Sequence, residues 1–593
     1  MKPIYFWLGC WALAQVCWGA APAGAGVPWP ATDGLGRSLP AQEEVGAPRP
    51  DRFVAVFYFL WLGQEGAAGP FDNTKILAAD PAALTKPDSP LWGPVGAPHY
   101  WGEPLFGYYV SDDDAVLAKH AQMLDDAGVD VVIFDASNQL TYPRSWQALG
   151  RVWGDIRRRG GHTPQIAFLC PFGDPKKVVV ELYRDLYGPE LYPELWFRWE
   201  GKPLILADPA AFQQSGSDAT VRNFFTFRKP QPDYFAGPQV PNEWGWLEVY
   251  PQHGFTNAAG EVEEVTVGVA QNAVDGRLSV MSNPRSHGRS FHAGQEPGPE
   301  PQVFTGANFS EQWNRAIALQ PKIIFVTGWN EWIAGRFSPP SGFYGDGPVT
   351  FVDEFNREFS RDCEPMRGAH GDAFYWQLVA NIRRFKGVPA IPPVRSKPIV
   401  IDGKFDDWAG VTPEFRDDVG DPVRRDHAGW AQGSHYVNRT GRNDIVAAKV
   451  SADERNIYFY VRTQAPLTPA TDPNWMLLFI DADRNPKTGW LGYDFAVRQY
   501  DPRNNKALLE RQTGDGYHWG SPVAVDYRLA GNELELAVPR AALGIAPGQP
   551  AFDFKWADNL QQTGDWSDFT LNGDAAPNDR YNFRAIISRP TGE

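Results

Sequence analysis

Cysteine is scarce in this 593-residue chain. There are four, and Cys10 and Cys17 fall in the first 25 residues, so only Cys170 and Cys363 remain for the body of the protein. Two are too few for a disulfide scaffold. Basic charge is also short: 55 Lys and Arg stand against 71 Asp and Glu, a net charge of −16. That excludes the basic footprint a nucleic-acid or anionic-membrane partner needs. Beyond the N-terminus no segment is long and apolar enough to cross a bilayer, so no membrane insertion is expected. No His/Cys cluster has zinc spacing, no glycine-rich phosphate loop follows a strand, and no Gly-x-Ser-x-Gly elbow is present. Metal hydrolysis, phosphoryl transfer and serine esterase chemistry all lose ground.

Aromatic residues are abundant, with 24 Trp, 36 Phe and 21 Tyr. Flat aromatic faces stack on apolar surfaces, including the C–H faces of sugar rings, so a polysaccharide or oligosaccharide partner fits the composition, although most of these rings must fill cores. Residues 1–25 carry Lys2, a short apolar stretch from Ile4 to Trp18 and small residues with Ala-x-Ala sites. This predicts a cleaved signal peptide and a secreted protein, extracellular or periplasmic. Val16 before Cys17 argues against a lipid anchor.

From about residue 50 to 387, strand-like and helix-like patterns alternate. Phe53 to Trp61, Val129 to Phe134, Gln165 to Cys170, Pro203 to Ala207 and Ile323 to Val326 read as strands, with Trp246 to Tyr250 and Val265 to Ala270 as weaker ones. Asp112 to Ala127, Trp146 to Arg159, Lys176 to Tyr187, Ser310 to Leu319 and Ala373 to Phe385 read as helices. The alternation predicts an α/β domain of the (β/α)8, TIM-type barrel class, with a doubly wound sheet as the alternative. Residues 388–396 form a proline-rich linker, expected to be a stiff spacer. From 397 to 593, short alternating runs between Gly, Asp and Asn turns predict a β-sandwich.

In a barrel, chemistry sits at the C-terminal ends of the strands. Those positions hold Asp135, Asp208, Glu248 and Glu331. Glu331 lies in "FVTGWNEWIAGRF", flanked by Trp329 and Trp332 just after an apolar strand, a costly place for a carboxylate. A pairing with Arg336 would be the structural explanation. Glycosidic cleavage needs two carboxyl groups, one protonated and one ionised; Glu331 is the first candidate, Asp135 the second and Glu248 the third. The long loop from Gly63 to Val110 adds His99, Tyr100, Trp101 and Glu103, which with Trp61, Asn138, Trp329, Asn330 and Trp332 make a candidate sugar-binding wall.

These residues carry a resemblance. "WNEW" after a late strand, "FYFLW" on an early one and "GYYVSDDDAVLAKHAQMLDDAGVDVVIFD" resemble the retaining endo-α-mannosidases of glycoside hydrolase family 99 and the related WbsX-like and family 71 α-glucanase-type proteins. The resemblance implies a (β/α)8 barrel with catalytic carboxylates in an Asn-Glu-Trp-x-Glu-Gly segment. Asn330, Glu331, Trp332 and Gly335 match it, but Ala334 replaces the second glutamate. The C-terminal "KPIVIDGKFDDW" and "MLLFIDADRNPKTGWLGYDFAVR" resemble carbohydrate-binding module family 9 and DOMON-like domains. Trp408, Trp475, Trp490 and Trp566 are candidate sugar platforms there. Asp481, Asp483, Asn485 and Asp494 offer oxygens suited to a structural calcium ion, an ion-free Asx turn being the alternative. No cofactor is expected for catalysis. The leading expectation is a secreted glycoside hydrolase tethered to an α-linked or otherwise complex polysaccharide by its C-terminal module. The alternatives are a non-catalytic glycan-binding protein and a glycan-modifying transferase or lyase.

Overall fold

The computed structural model describes residues 26–64, 68–295, 302–338, 347–368, 370–546 and 551–587. The expected signal peptide, with Cys10 and Cys17, lies outside them. The first half is built on eight parallel strands: β1 (Phe53–Tyr58), β2 (Val131–Asp135), β3 (Gln165–Leu169), β4 (Lys202–Leu206), β5 (Thr226–Pro230), β6 (Glu243–Trp244), β7 (Val262–Gly268) and β8 (Ile323–Thr327). They pair in the order β7-β8-β1-β2-β3-β4-β5-β6. A short strand, Phe255–Thr256, runs antiparallel to β7. Its Thr256 carbonyl accepts from Asn242 N at 2.9 Å, beside β6, so the sheet curls into a barrel-like ring. β2 and β8 are buried at every position. Covered on both faces, such strands read as unbroken apolar runs rather than alternations.

Helices Asp114–Ala127, Pro143–Arg158, Lys176–Leu182, Gly216–Phe224, Ala307–Leu319 and Ala373–Lys386 lie between or after these strands. The first shows how local sequence sets its ends. The Asp113 side chain accepts from Ala115 N, and Gly128 closes the helix in the left-handed conformation at φ 86°. A side-chain acceptor satisfies an orphan N–H of the first turn, and glycine takes positive φ without steric cost.

One strand expectation needs correction. Residues 246–250 form no strand; the pairing residues are Glu243 and Trp244 instead. The long loop from Gly63 to Val110 carries regular structure of its own. Its Pro98–Tyr100 strand pairs with Ile333–Phe337, which in turn pairs with Thr350–Phe351.

The second half is an antiparallel sheet of eleven strands whose largest core includes Phe459, Ile480, Val497, Leu536, Phe554 and Trp556, with smaller clusters around Phe479 and Trp408. The two halves interlock. Trp430 and Tyr581 belong to the core of the first half, while Trp29 of the lead-in packs on Phe415 and Phe583 at 5.7 and 5.0 Å. Arg425 Nε donates to Asp113 at 2.7 Å, Gln122 Nε2 to Asp421 at 2.7 Å, and Arg580 to the buried Asp372. Residues 388–396 are anchored rather than free: Val388 N bonds to Gly46 O, and Val394 N to Ile586 O.

Buried interlocking of this kind predicts one cooperative unit. A chain cut to 397–593 should expose Trp430 and Tyr581 and unfold at a lower temperature than the same residues in the intact protein. Two separate transitions in the intact protein, one matching the isolated piece, would refute this.

Candidate functional site

Glu331 follows β8 directly, at the end of the parallel strands where the loops gather. Its neighbours explain its placement. Asn330 accepts from Phe59 N at 2.8 Å and donates to Phe59 O, tying the motif to the end of β1. Glu331 N donates to Asp362 Oδ1 at 2.6 Å. Trp332 lies flat on Trp101, ring centroids 4.5 Å apart, and donates its indole N–H to Glu364. Glu364 also accepts from Tyr109 and faces His120, which meets Tyr58 at 2.8 Å. A buried polar network therefore holds the loop from below, and its members leave little freedom to the motif above.

The Glu331 carboxylate does not meet Arg336, whose guanidinium donates to the Pro87 and Gly93 carbonyls. It meets Arg361: Oε2 accepts from Nη2 at 2.8 Å. The same nitrogen lies 3.3 Å from Asp353 Oδ1, and Arg361 Nε lies 3.3 Å from Glu354 Oε1. One guanidinium thus serves three carboxylates, with Asp362 close by. Burial raises the Glu331 pKa, Arg361 opposes this, and Asp353 and Asp362 raise it again, leaving it pushed up to about 8. The ion pair and the raised value pull in opposite directions. The raised value prevails because Arg361 is shared among several acids in a buried site. Asp362 is pushed up to about 6 by burial.

Asp135, at the end of β2, is buried and accepts from Ser137 N at 2.9 Å. Burial raises its pKa, and among the charges acting on it are Asp353 and Arg361, so it faces the same centre. Glu248 does not join them. Its two oxygens are taken by His253 N and Nδ1 at 2.9 and 2.8 Å, and the charge that raises it beyond burial is Asp233. Asp208 accepts from Ala210 N and caps a short helical turn.

The candidate sugar wall separates into two sets. His99 is fully buried between Phe71 and Phe351, 5.1 and 5.0 Å away, with Nδ1 on Ala97 O, and burial lowers its pKa to about 4. It is a core histidine, which corrects its reading as a sugar contact. Tyr100, Trp101, Trp329 and Trp332 are buried too, each at 1% exposure or less, and support the motif from beneath. Glu103 is half-buried and pairs with Lys75 and Arg367. Accessible surface remains at Asn138, whose side chain bonds to Tyr142, and at the half-buried Trp61.

Sequence reasoning missed Asp353, Arg361, Tyr234 and Trp246. Tyr234 lies beside Arg361, Asp353 and Glu331, and its pKa is raised by burial. The half-buried Trp246 presents its face to Arg361 at 5.8 Å and continues an aromatic floor through Phe57, Phe59 and Trp61. The indole N–H groups of Trp61 and Trp246 find no acceptor among the described residues. The signal for Trp246 is present in "WGWLEVY", but its aromatic and apolar residues there read equally well as a strand.

A cavity of about 250 Å³ lies elsewhere, between the lead-in and the C-terminal half, lined by Thr32, Arg383, Asp481, Tyr493 and Arg584 among others. None of Glu331, Asp353, Arg361, Asp135, Tyr234 and Trp246 lines it. In the C-terminal half Trp408, Trp475 and Trp490 are buried, at 2, 3 and 5% exposure, so they are core rings and not sugar platforms. Trp566 is half-buried, with the Arg580 guanidinium over its ring at 4.5 Å. Carboxylate oxygens of Asp481, Asp483 and Asp494 lie within 4.8 Å of one another. Asn485 contributes turn geometry instead, its N–H donating to Asp483 and its side chain accepting from Lys487 N.

No protein-family model matches the chain, and no curated protein matches it. Among solved structures it is similar to the GH99 endo-alpha-mannosidase from Bacteroides thetaiotaomicron. In the complex with BIS-TRIS-propane the identity is 17% and the TM-score 0.32, over 56% of this chain and 97% of that one. A second structure of that enzyme gives 16% and 0.33, over 57% and 98%. A family 9 carbohydrate-binding module from Caldicellulosiruptor kristjanssonii, in complex with glucose, is similar at 14% identity and a TM-score of 0.19, over 34% of this chain and 97% of that one.

Proposed function

We propose that the protein is a glycoside hydrolase in which Glu331 donates the proton to the leaving oxygen. The observation that carries this reading is the Glu331 carboxyl itself, pushed up to about 8 at the end of β8 beside other carboxylates. A general acid must hold its proton at the working pH, and a second, ionised carboxylate must face the same bond. The aromatic floor of Phe57, Phe59, Trp61 and Trp246 supports a sugar-ring substrate. The acidic surroundings favour an uncharged glycan over an anionic one. On this reading the eight parallel strands are a (β/α)8 barrel, the chain is exported after loss of residues 1–25, and the C-terminal half holds it near a polymeric substrate.

The test is release of reducing ends from a panel of α- and β-linked glucans, mannans and galactans, with Glu331→Gln as control. Release by the wild type that the variant loses supports the reading. Binding without release favours the glycan-binding alternative, in which the barrel holds sugar without cleaving it.

Calcium at Asp481, Asp483 and Asp494 is a further proposal. Burial and the neighbouring Asp553 and Asp494 push Asp481 up to about 8, an imbalance that a divalent cation would relieve. Calcium 100-fold above its dissociation constant should stabilise the fold by about 2.7 kcal/mol. The unfolding temperature should rise with calcium and fall with EGTA. An unfolding temperature indifferent to both would dismiss the ion.

A further inference from the structure

We infer that Asp417, Asp421 and Asp574 hold a divalent cation, calcium by its chemistry, at the seam between the two halves. The three acids come from two pieces of the second half. Asp417 directly follows the short strand Phe415–Arg416, Asp421 lies in the same loop, and Asp574 opens the strand Asp574–Ala576. One carboxylate oxygen of each lies within 4.8 Å of the other two. Acidic oxygens set by a loop and a strand end suit calcium, which accepts irregular oxygen shells at about 2.3–2.6 Å, over magnesium, which demands a near-ideal octahedron.

A crowd of acids alone would select nothing. What points to a ligand is buried oxygen without a donor. Asp417 Oδ2 and Asp421 Oδ1 are buried and find no partner among the described residues. Asp579, 5% exposed, adds Oδ2 as a third such atom, and it acts on Lys119 and Lys555 together with Asp417 and Asp574. Buried polar atoms left unpaired are costly and rare, and charged ones more so. The charges do not balance either. Asp126, Asp417, Asp418, Asp421, Asp574 and Asp579 crowd round the two lysines. Burial pushes Asp421 up to about 7 even with Lys119 opposing it. A divalent cation supplies the missing charge and occupies the orphaned oxygens at once. Asp574 is already oriented for it. Its oxygens accept from Ile445 N at 2.6 Å and Ala575 N at 3.0 Å, and a carboxylate oxygen so engaged keeps a second lone pair.

An ion here fastens the halves to each other. Asp421 Oδ2 accepts from Gln122 Nε2 at 2.7 Å and lies 3.8 Å from Lys119 Nζ, while Gln122 also reaches Asp418 Oδ2 at 3.2 Å. Lys119 and Gln122 ride on the helix Asp114–Ala127, whose His120 faces Glu364 beneath the Glu331 loop. Fixing the loop of Asp417 and Asp421 thus fixes what grips this helix. The group shares no residue with Asp481, Asp483 and Asp494.

The experiment uses the full-length protein stripped with EGTA, with calcium alone as the ligand. Asp483→Asn, which disables the other group, should still bind one calcium per chain in equilibrium dialysis, and adding Asp417→Asn should abolish that binding. Thermal unfolding supplies a sign that a merely repulsive cluster cannot give. Without calcium, Asp417→Asn loses an unbalanced charge and should melt at or above the wild type; in millimolar calcium the wild type should melt higher, because only it gains the stability of the bound ion. The Asp481 group is intact in both chains, so its contribution cancels. An Asp483→Asn protein that binds no calcium, a double variant that still binds one, or a wild type that melts no higher than Asp417→Asn in calcium overturns the site. Magnesium bound as tightly as calcium overturns the choice of ion.

Discussion

Glu331→Gln is expected to lower kcat by about 10²- to 10⁴-fold while leaving the protein folded. Glutamine keeps the volume of the protonated acid, and its side-chain oxygen can still accept from Arg361 Nη2, now 2.8 Å from Glu331 Oε2. It cannot give up a proton to a leaving oxygen. The pH dependence has a definite sign. With its pKa raised to about 8, Glu331 is protonated at neutral pH, so wild-type activity should hold up to that value and fall above it. Stability changes in the same direction. A buried carboxyl whose folded pKa exceeds its unfolded value binds more protons in the native state, so its contribution weakens as pH rises from about 4.5 towards 8. Glutamine does not ionise, so the variant should match the wild type in thermal unfolding at pH 6 and lose less stability than the wild type at pH 9. A folded Glu331→Gln enzyme with full turnover would end the assignment of Glu331 as the acid. A variant that fails to fold at pH 6 would instead make Glu331 a structural residue.

The strand leading to Glu331 was legible because both faces of a parallel strand are buried. Ile323 to Val326 is an unbroken apolar run, and the residues just beyond the C-terminal end of such a run lie where loops converge. β5 was missed for the opposite reason. Its residues Thr226–Pro230 alternate between buried and half-buried, and Arg228 is buried only because Glu263, distant in sequence, accepts from it at 2.8 Å. No local pattern announces a core arginine. The same limit hid Arg361 and Asp353, which reach the site through a stretch with one two-residue strand and many turns, so periodicity had nothing to act on.

His99 and the tryptophans were misjudged on a different ground. Sequence shows that an aromatic residue is present but not which face of its strand it occupies, and a shift of one residue exchanges core for surface. His99 ended between two phenylalanines because Pro98–Tyr100 pairs on both sides, with Phe71–Asp72 and with Ile333–Phe337. Trp490 ended against Phe479 and Tyr517, whereas Trp246, whose neighbours suggest only a strand, kept an open face beside Arg361.

Arg361→Met should cost about 3–5 kcal/mol of stability, the range expected when one partner is removed from a buried ion pair. Arg361 is 1% exposed, and its guanidinium serves Glu331, Asp353 and Glu354. Its backbone would stay in place, since its N–H donates to Glu354 and its carbonyl accepts from Gly328 N. Methionine fills comparable volume, so the loss would report charge and not a cavity. Without the guanidinium the buried Glu331 and Glu354 lose their cation, and their pKa values, already raised by burial, rise further above the unfolded ones. The native state then binds more protons than the unfolded state across the interval between those values, and stability increases as pH falls. The defect should therefore be larger at pH 8 than at pH 5.5 in urea unfolding. Arg361→Lys should recover part of the stability, because it restores the charge, but less of the activity, because a single ammonium cannot meet Glu331 and Asp353 through one nitrogen and Glu354 through another as the guanidinium does. A loss equal at both pH values would show that Arg361 contributes through packing against Trp246 and not by balancing the acids around it.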